Sequence, residues 1–447
     1  MSPSERSSPS TGSAAARLFA KFAAVEPYEL RAVTLSMLYF FFLFGSYSVI
    51  KPVRDAMGTV YGVAHLQELF TITLLASLVF APLYSGLATR VRLASFLPWV
   101  YGFVAVSILA FYGMFVSRHD QDRWVAAGFY VWVSTFNMLI ISVFWTFMAD
   151  LFSRVQAKRL FGLVAAGGTL GGIVGPALAT LLATTIGNNN LLLIGAAGFA
   201  LTALVVRLLA SEKEKLLAAA PEAQRTSLTQ RLPGNAFDGF KLLLRSRYLL
   251  LIALFLLLMT WISTIVYFQL GDLITKAFRD RETRTHVYAM IDLVVNSCAV
   301  FVQLFGTGRF IARFGVGAGL LLNPVIMVIA FLAMAFSPVL AVLGGIQIFR
   351  RVAEYAVAKP TREMLFTVVD QESRYKAKNV IDTVVYRFGD FSAAWISAAI
   401  LPYGVAGLAI FGAIVAAAWF PIGYVLGKQY EAVRGGGGPT LDKRGRE

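Results

Sequence analysis

The sequence predicts an all-α membrane protein of twelve transmembrane helices in two pseudo-symmetric six-helix halves. Three observations carry that expectation. The 447 residues are 57% hydrophobic and only 15% charged, whereas soluble domains carry roughly a quarter charged residues, so most of the chain must meet lipid. Apolar runs of about 20 residues, the length needed to cross a bilayer as helix, recur along the whole sequence. One charged phrase is also written twice: DLFSRVQAK at Asp150–Lys158 and DQESRYKAK at Asp370–Lys378 share D-x-x-S-R-x-x-A-K at an offset of 220 residues.

Taken in order, residues 1–30 open with the Ser/Pro-rich MSPSERSSPSTGS, expected to be disordered, and continue as a short amphipathic piece. Neither has the apolar core and cleavage site of a signal peptide. Six spans fill residues 31–210, at 31–50, 66–88, 93–116, 125–148, 160–183 and 191–210. Residues 211–247 form a polar linker expected on the cytoplasmic side. Six more spans fill 248–426, at 248–270, 287–307, 317–336, 339–358, 379–400 and 404–426, and 427–447 is a tail. Most spans are bounded by charges, Gly or Pro.

Orientation follows from Lys and Arg, which accumulate in cytoplasmic loops. With the N-terminus inside, 29 of the 40 basic residues fall on the cytoplasmic side and eight outside, Lys51 and Arg54 among the eight. Arg350, Arg351 and Arg387 fall within spans. Both termini are therefore expected in the cytoplasm, and the net charge of +15 needs no nucleic acid to explain it. The single Cys298 excludes an internal disulfide framework and a cysteine-based zinc cluster. The three histidines, His65, His119 and His286, lie near predicted helix ends and offer no multi-histidine metal site. Neither a metal nor a cofactor is implied.

The repeated phrase orders the two halves. Asp150 lies at the cytoplasmic end of span four and Asp370 beyond the end of span ten, and each phrase leads into the next span. The offset maps one half onto the other with the same membrane orientation, which is how major facilitator transporters are built. A second echo pairs GLATRVR (Gly86–Arg92) with GRFIARFG (Gly308–Gly315). Asp150 with Arg154, and Asp370 with Arg374, are candidates for gating pairs; the alternative is that they only cap helices and follow the orientation rule.

Charges inside spans are costly and mark substrate paths by default. Span one ends YSVIKPVRDAMG, where Pro52 can break the helix. If the helix continues, Lys51 and Asp55 share a face. With Arg54 they form either the outer lip of an anion site or an interfacial anchor that snorkels. Arg350 and Arg351 lie near the middle of span ten. Glu354 can neutralise Arg350, which leaves Arg351 over as an anion receptor, its planar fork suited to phosphate. Span eleven carries Asp382, Arg387 and Asp390, the last two spaced for a salt bridge. Asp292 in span eight can hold a proton, pair with an arginine or contact a ribose. Span five is Gly-rich, with small-xxx-small spacing at Gly167/Gly171 and Gly171/Gly175 that favours close helix packing. Tyr39, Phe40, Phe41, Phe42 and Trp145 read as packing residues or, alternatively, as a base-stacking platform.

The words YSVIKPVRDAMG, FWTFMADLFSRVQAKRLFGLV and AKPTREMLFTVVDQESRYKAKNVIDTVVYRFGD resemble the ATP/ADP carrier family of plastids and obligate intracellular bacteria. The resemblance implies twelve helices and counter-exchange of nucleotides, with Lys51, Arg54 and Asp55, and Lys378 with Asp382, at the family's functional positions. The expectation is a secondary transporter exchanging ATP/ADP-type nucleotides, or a related phosphorylated anion, by alternating access. It is expected as a monomer in a bacterial inner membrane and is not expected to be an enzyme, since no nucleophile–base pair can be placed. Lys51, Arg54, Arg350, Arg351, Lys378 and Arg387 form the expected substrate-binding set. Asp55, Asp150, Arg154, Asp292, Glu354, Asp370, Arg374, Asp382 and Asp390 are the coupling or gating candidates. Two alternatives remain: a proton-coupled carrier of a smaller organic anion using Asp292 or Glu354, and a non-transporting membrane sensor.

Overall fold

In hydrocarbon each backbone amide must find its partner within the protein, so the apolar runs fold as helices. The computed structural model describes residues 25–26, 28–88, 93–119, 122–152, 154–219, 238–337, 339–369, 377–378 and 380–434. The first half holds α1 (Leu30–Tyr61), α2 (Leu66–Ala88), α3 (Leu93–Met114), α4 (Arg123–Leu151), α5 (Arg154–Ile186) and α6 (Asn188–Ala219). The second holds α7 (Arg247–Ala277), α8 (Arg281–Val302), α9 (Gly308–Phe336), α10 (Leu340–Ala353), α11 (Tyr386–Ile400) and α12 (Gly404–Arg434). Between the halves, α6 runs nine residues past the expected boundary, and a short helix, Asp238–Arg245, precedes α7.

Among the described residues, ten helices are long and apolar enough to cross a membrane. One of them, Arg281–Phe336, is 56 residues long and turns back at Gly315 (φ 80°, ψ 174°). That positive φ suits a residue without a side chain, and it divides the stretch into two passages. The stretch 340–365 fails on composition alone, because it carries Arg350, Arg351, Glu354, Lys359, Arg362 and Glu363. With these two adjustments the described residues accommodate the twelve helical passages that the sequence predicts. Before α8, Asp280 caps the helix by accepting from Thr283 N at 2.7 Å. Hydrogen bonds from the Thr283 hydroxyl and backbone hold that carboxyl below the usual carboxylate range.

The packing repeats between halves. In the first half α1 packs on α4, α5 and α6, α2 on α4, and α3 on α6; in the second, α7 packs on α10, α11 and α12, α8 on α10, and α9 on α12. The halves meet through α5 against α8 and α2 against α11, again equivalent under the same exchange. Buried apolar side chains form two large clusters, one almost wholly from residues 25–209 and one from 243–430. A third, smaller cluster joins Tyr61, Val63, Leu66, Leu69 and Tyr130 of the first half to Phe268 and Ala394 of the second.

Two expectations are corrected here. Span one does not end at residue 50; α1 continues through Pro52 to Tyr61, because a transmembrane proline is tolerated where packed neighbours re-satisfy the backbone. Span ten likewise runs past 358, through a π turn at Glu354–Ala358 into a helical segment at Lys359–Leu365. There Pro360 occupies the first turn, where the missing N–H costs little.

The α1–α5 seam is set by glycine. A Cβ on Gly167 would lie 2.2 Å from Met37 O, and one on Gly171 2.4 Å from Phe41 O, both backbone atoms. Gly162, on the same helix, has nothing within 4 Å. Gly167→Val is expected to destabilise the protein by about 2 kcal/mol or more and Gly162→Ala to be near neutral. Thermal unfolding in detergent measures both; equal midpoints for the two would remove the seam as a packing constraint.

Candidate functional site

The two halves enclose a cavity of about 680 Å³. At the end where α1 finishes, contacts between halves close it. Phe70 meets Tyr267 and Phe268 ring to ring, Trp395 Nε1 donates to Thr71 Oγ1 at 2.9 Å, and Arg284 Nη1 donates to Thr59 Oγ1 at 3.0 Å. In the other direction the lining continues through Asn296 and Gly172 to Phe40, Ala165, Gln303 and Lys359.

Helical spacing places the charges. On α1, Tyr47, Lys51 and Asp55 recur every four residues and present one face to the cavity, with Arg54 beside them. On α10 and the π turn that continues it, Gln347, Arg350, Arg351, Glu354 and Tyr355 line the opposite wall. The π turn at Glu354–Ala358 shifts the helical register beyond it and brings Lys359 into the same wall. A second π turn, Ile381–Val385, precedes Tyr386, Arg387 and Asp390. Such turns recur at functional sites.

The centre is a carboxylate shared between the halves. Asp292 of α8 accepts from Lys51 Nζ of α1 at 2.5 Å and from the Arg351 guanidinium of α10. Nearer the closed end, Arg54 Nη2 lies 2.7 Å from Asp55 Oδ1, and the Tyr267 hydroxyl donates to the same oxygen at 3.2 Å from the other half. The Arg54 guanidinium stands 5.4 Å from the Tyr130 ring centroid. On the α10 wall, Arg350 Nη1 meets Glu354 Oε2 at 2.7 Å and Arg350 also donates to Gln347 Oε1, while Lys359 Nζ lies 3.8 Å from Glu354 Oε1. Arg387 Nη1 lies 3.6 Å from Asp390 Oδ2, and its Nη2 donates to Ser134 O of the first half at 3.3 Å.

Among the described residues, the cavity is thus walled by six cations (Lys51, Arg54, Arg350, Arg351, Lys359, Arg387) and four carboxylates (Asp55, Asp292, Glu354, Asp390). Excess positive charge in a concave, low-dielectric wall focuses a field that attracts anions. Five of the six expected substrate residues therefore come together. The expectation that Arg351 is left unpaired is corrected: Asp292, which no sequence spacing relates to it, reaches it from a neighbouring helix. The surplus is collective and not the property of one arginine. Lys51 and Arg54 also lie inside the cavity and not at an outer lip, because α1 does not end before them.

Other expected residues lie elsewhere. Lys378 bonds Glu363, and Asp382 lies 3.2 Å from Arg362, both at the junction of α10 and α11 and away from the lining. Asp150 lies at the end of α4, also away from it. Asp370 and Arg374 lie outside the described residues, as does the Arg154 side chain. The aromatic run divides. Tyr39 is fully buried and bonded to the Tyr101 hydroxyl at 2.5 Å, whereas Phe40, stacked on Phe144 at 4.1 Å, reaches the cavity with Phe44.

Sequence reasoning missed Lys359 and the cavity tyrosines Tyr47, Tyr130, Tyr267, Tyr288, Tyr355 and Tyr386. Spacing signalled two of them: Tyr47 precedes Lys51, and Tyr355 follows Arg351, by one helical turn.

Two parallel six-helix halves around a charged cavity define a multi-pass membrane protein of the parallel-repeat carrier fold. The family model described as Major Facilitator Superfamily matches residues 33–358, and the chain belongs to that superfamily. A second model, described as TLC ATP/ADP transporter, matches residues 330–426, the same stretch whose wording resembles the ATP/ADP carriers. The chain is 24% identical over 316 residues to ADP,ATP carrier protein 1 of Chlamydia muridarum, covering 62% of this chain and 59% of that protein. It is 26% identical over 308 residues to ADP,ATP carrier protein 2 of Chlamydia trachomatis, covering 60% and 57%. The matched stretch thus spans under two thirds of these relatives' length. Among solved structures, an inward-facing bacterial homologue of the iron transporter ferroportin superposes with TM-score 0.62 at 14% identity, over 88% of this chain and 99% of that one. The nucleoside transporter NupG superposes with TM-score 0.60 at 16% identity, over 92% and 99%. At these identities the likeness is one of fold.

Removing the shared carboxylate should be costly, since a buried charge stripped of its partner loses about 3 kcal/mol or more. Asp292→Asn and Lys51→Met are each expected to lower the unfolding midpoint. The double variant is expected to lose less than their sum, by about 2 kcal/mol. Additive losses in thermal unfolding would dissolve the link between α1 and α8.

Proposed function

We propose that this protein is a secondary transporter that exchanges nucleotides of the ATP/ADP type, or a related phosphorylated anion, by alternating access. The observation that carries the reading is the cavity between the halves, where six cations face four carboxylates. Lys51, Arg54, Arg350, Arg351 and Arg387 are the substrate-binding set. A planar guanidinium can hold two phosphate oxygens at once, and Arg351 can exchange its bond to Asp292 for one to substrate. The match of residues 330–426 to the ATP/ADP transporter model, and the printed names of the Chlamydia relatives, support nucleotides as the cargo.

Exchange follows from the charge. An unloaded cavity with surplus positive charge is costly to occlude in a low-dielectric surround, and a bound anion removes that cost. Reorientation then favours the loaded carrier, with no proton required. We place the protein in a bacterial inner membrane with both termini cytoplasmic, on the strength of the loop charges. In that orientation the closed end faces outward. Lys378 with Glu363, and Asp382 with Arg362, act at the cytoplasmic junction of α10 and α11, away from the substrate.

The test is exchange in proteoliposomes loaded with ADP, with labelled ATP outside. Arg351→Gln is expected to cut the exchange rate by about tenfold or more, the scale of roughly 1.4 kcal/mol of lost binding, while the protein stays monodisperse in detergent. Unchanged exchange by that variant would remove Arg351 from the substrate site.

A further inference from the structure

The geometry points to a substrate carrying two negative charges, held as a phosphate ester around Tyr355. This deepens the transport reading and rests on it; what it adds is the charge state that the cavity is built to neutralise.

The surplus can be located. Each of the four cavity carboxylates has a cation within 4 Å: Asp390 is paired with Arg387 at 3.6 Å, and Asp55 is held by Arg54 at 2.7 Å with Lys51 second at 3.9 Å. The other two carboxylates are each shared by a pair of cations. Asp292 serves Lys51 and Arg351, and Glu354 serves Arg350 and Lys359. One surplus charge therefore belongs to Arg54, Lys51 and Arg351, which share Asp55 and Asp292, and the other to Arg350 and Lys359 around Glu354. Tyr355 lies between Arg351 of the first set and Lys359 of the second. The Arg351 guanidinium is 5.5 Å from the Tyr355 ring centroid and its Nη2 is 3.4 Å from the hydroxyl. The Lys359 ammonium is 4.3 Å from the same centroid. Lys51 and Lys359 keep 22% and 46% of their side chains exposed, so both can reach a ligand without breaking the α10 wall.

A phosphate monoester carries about two negative charges near neutrality, equal to the surplus. Bound there, it leaves the loaded cavity neutral. A triphosphate with about two further charges would leave the loaded cavity negative by the same amount, and moving net charge through the bilayer is opposed by desolvation and biased by the membrane potential. Two sources supply the required dianion: a nucleoside monophosphate, or a nucleoside triphosphate chelated by magnesium.

The protein in proteoliposomes, preloaded in each arm with the unlabelled form of the same ester and the same magnesium or chelator as outside, is given labelled AMP or ATP. AMP in chelator, or ATP in magnesium, is expected to exchange about fivefold faster than ATP in chelator. Which of the two is fast identifies the source. Glu354→Gln raises the surplus to three and is expected to shift the preference toward chelator-treated ATP by about threefold or more. Asp390→Asn makes the same charge change in another helix, should Glu354→Gln fail to fold. Chelator-treated ATP exchanging as fast as the dianions, with a ratio that neither variant moves, would overturn the proposal and leave nucleotide exchange standing. A well-folded protein that exchanges none of these esters would reject the transport reading beneath it.

Discussion

The structure depends on one constraint: charge placed in the membrane must be answered within the protein. Asp292 answers it for two cations at once, one from each half. The bond from Lys51 to Asp292 joins α1 to α8, and the bond from Arg351 to Asp292 joins α8 to α10. Without that carboxylate, Lys51 would keep only Asp55 at 3.9 Å, and Arg351 would lose the carboxylate it bonds. The remaining charges follow the same logic in smaller units, each carboxylate sited where a cation is otherwise exposed to low dielectric.

This explains why the cavity is both stable and reactive. Fully paired, it would have no call for a ligand; wholly cationic, it could not be buried. The wall lies between these limits, with carboxylates enough to hold every guanidinium in place and too few to cancel the charge. The aromatic hydroxyls of Tyr267 and Tyr355 complete the arrangement. Each touches a charged group and holds it in orientation while adding no charge of its own.

Much of the fold was legible in the sequence because hydrophobic length and repeated phrasing are direct consequences of the bilayer and of an internal repeat. The ends of the helices were harder to read. Pro52 was read as able to break its helix, and span ten was expected to end at 358, just before Pro360. In a packed bundle α1 absorbs the first, and a π turn precedes the second, so Lys51, Arg54 and Lys359 moved from loop or lip into the cavity. The pairing of Arg350 with Glu354 followed from four-residue spacing. The pairing of Arg351 with Asp292 did not, since nothing in local spacing relates residues on different helices. Lys378 and Asp382, singled out by family wording, are held at a helix junction by Glu363 and Arg362, a placement that wording alone does not reveal.

The glycine seam has a mechanical consequence. A contact too tight for a methyl group is also too tight to slide, since a small axial shift drives the next side chain against backbone. Helices α1 and α5 must therefore travel as one body. Asn296 of α8 is bonded to the Gly172 carbonyl of that same body, and Lys51 rides on it toward Asp292. Any rocking of the first half would thereby be geared directly to the centre of the cavity.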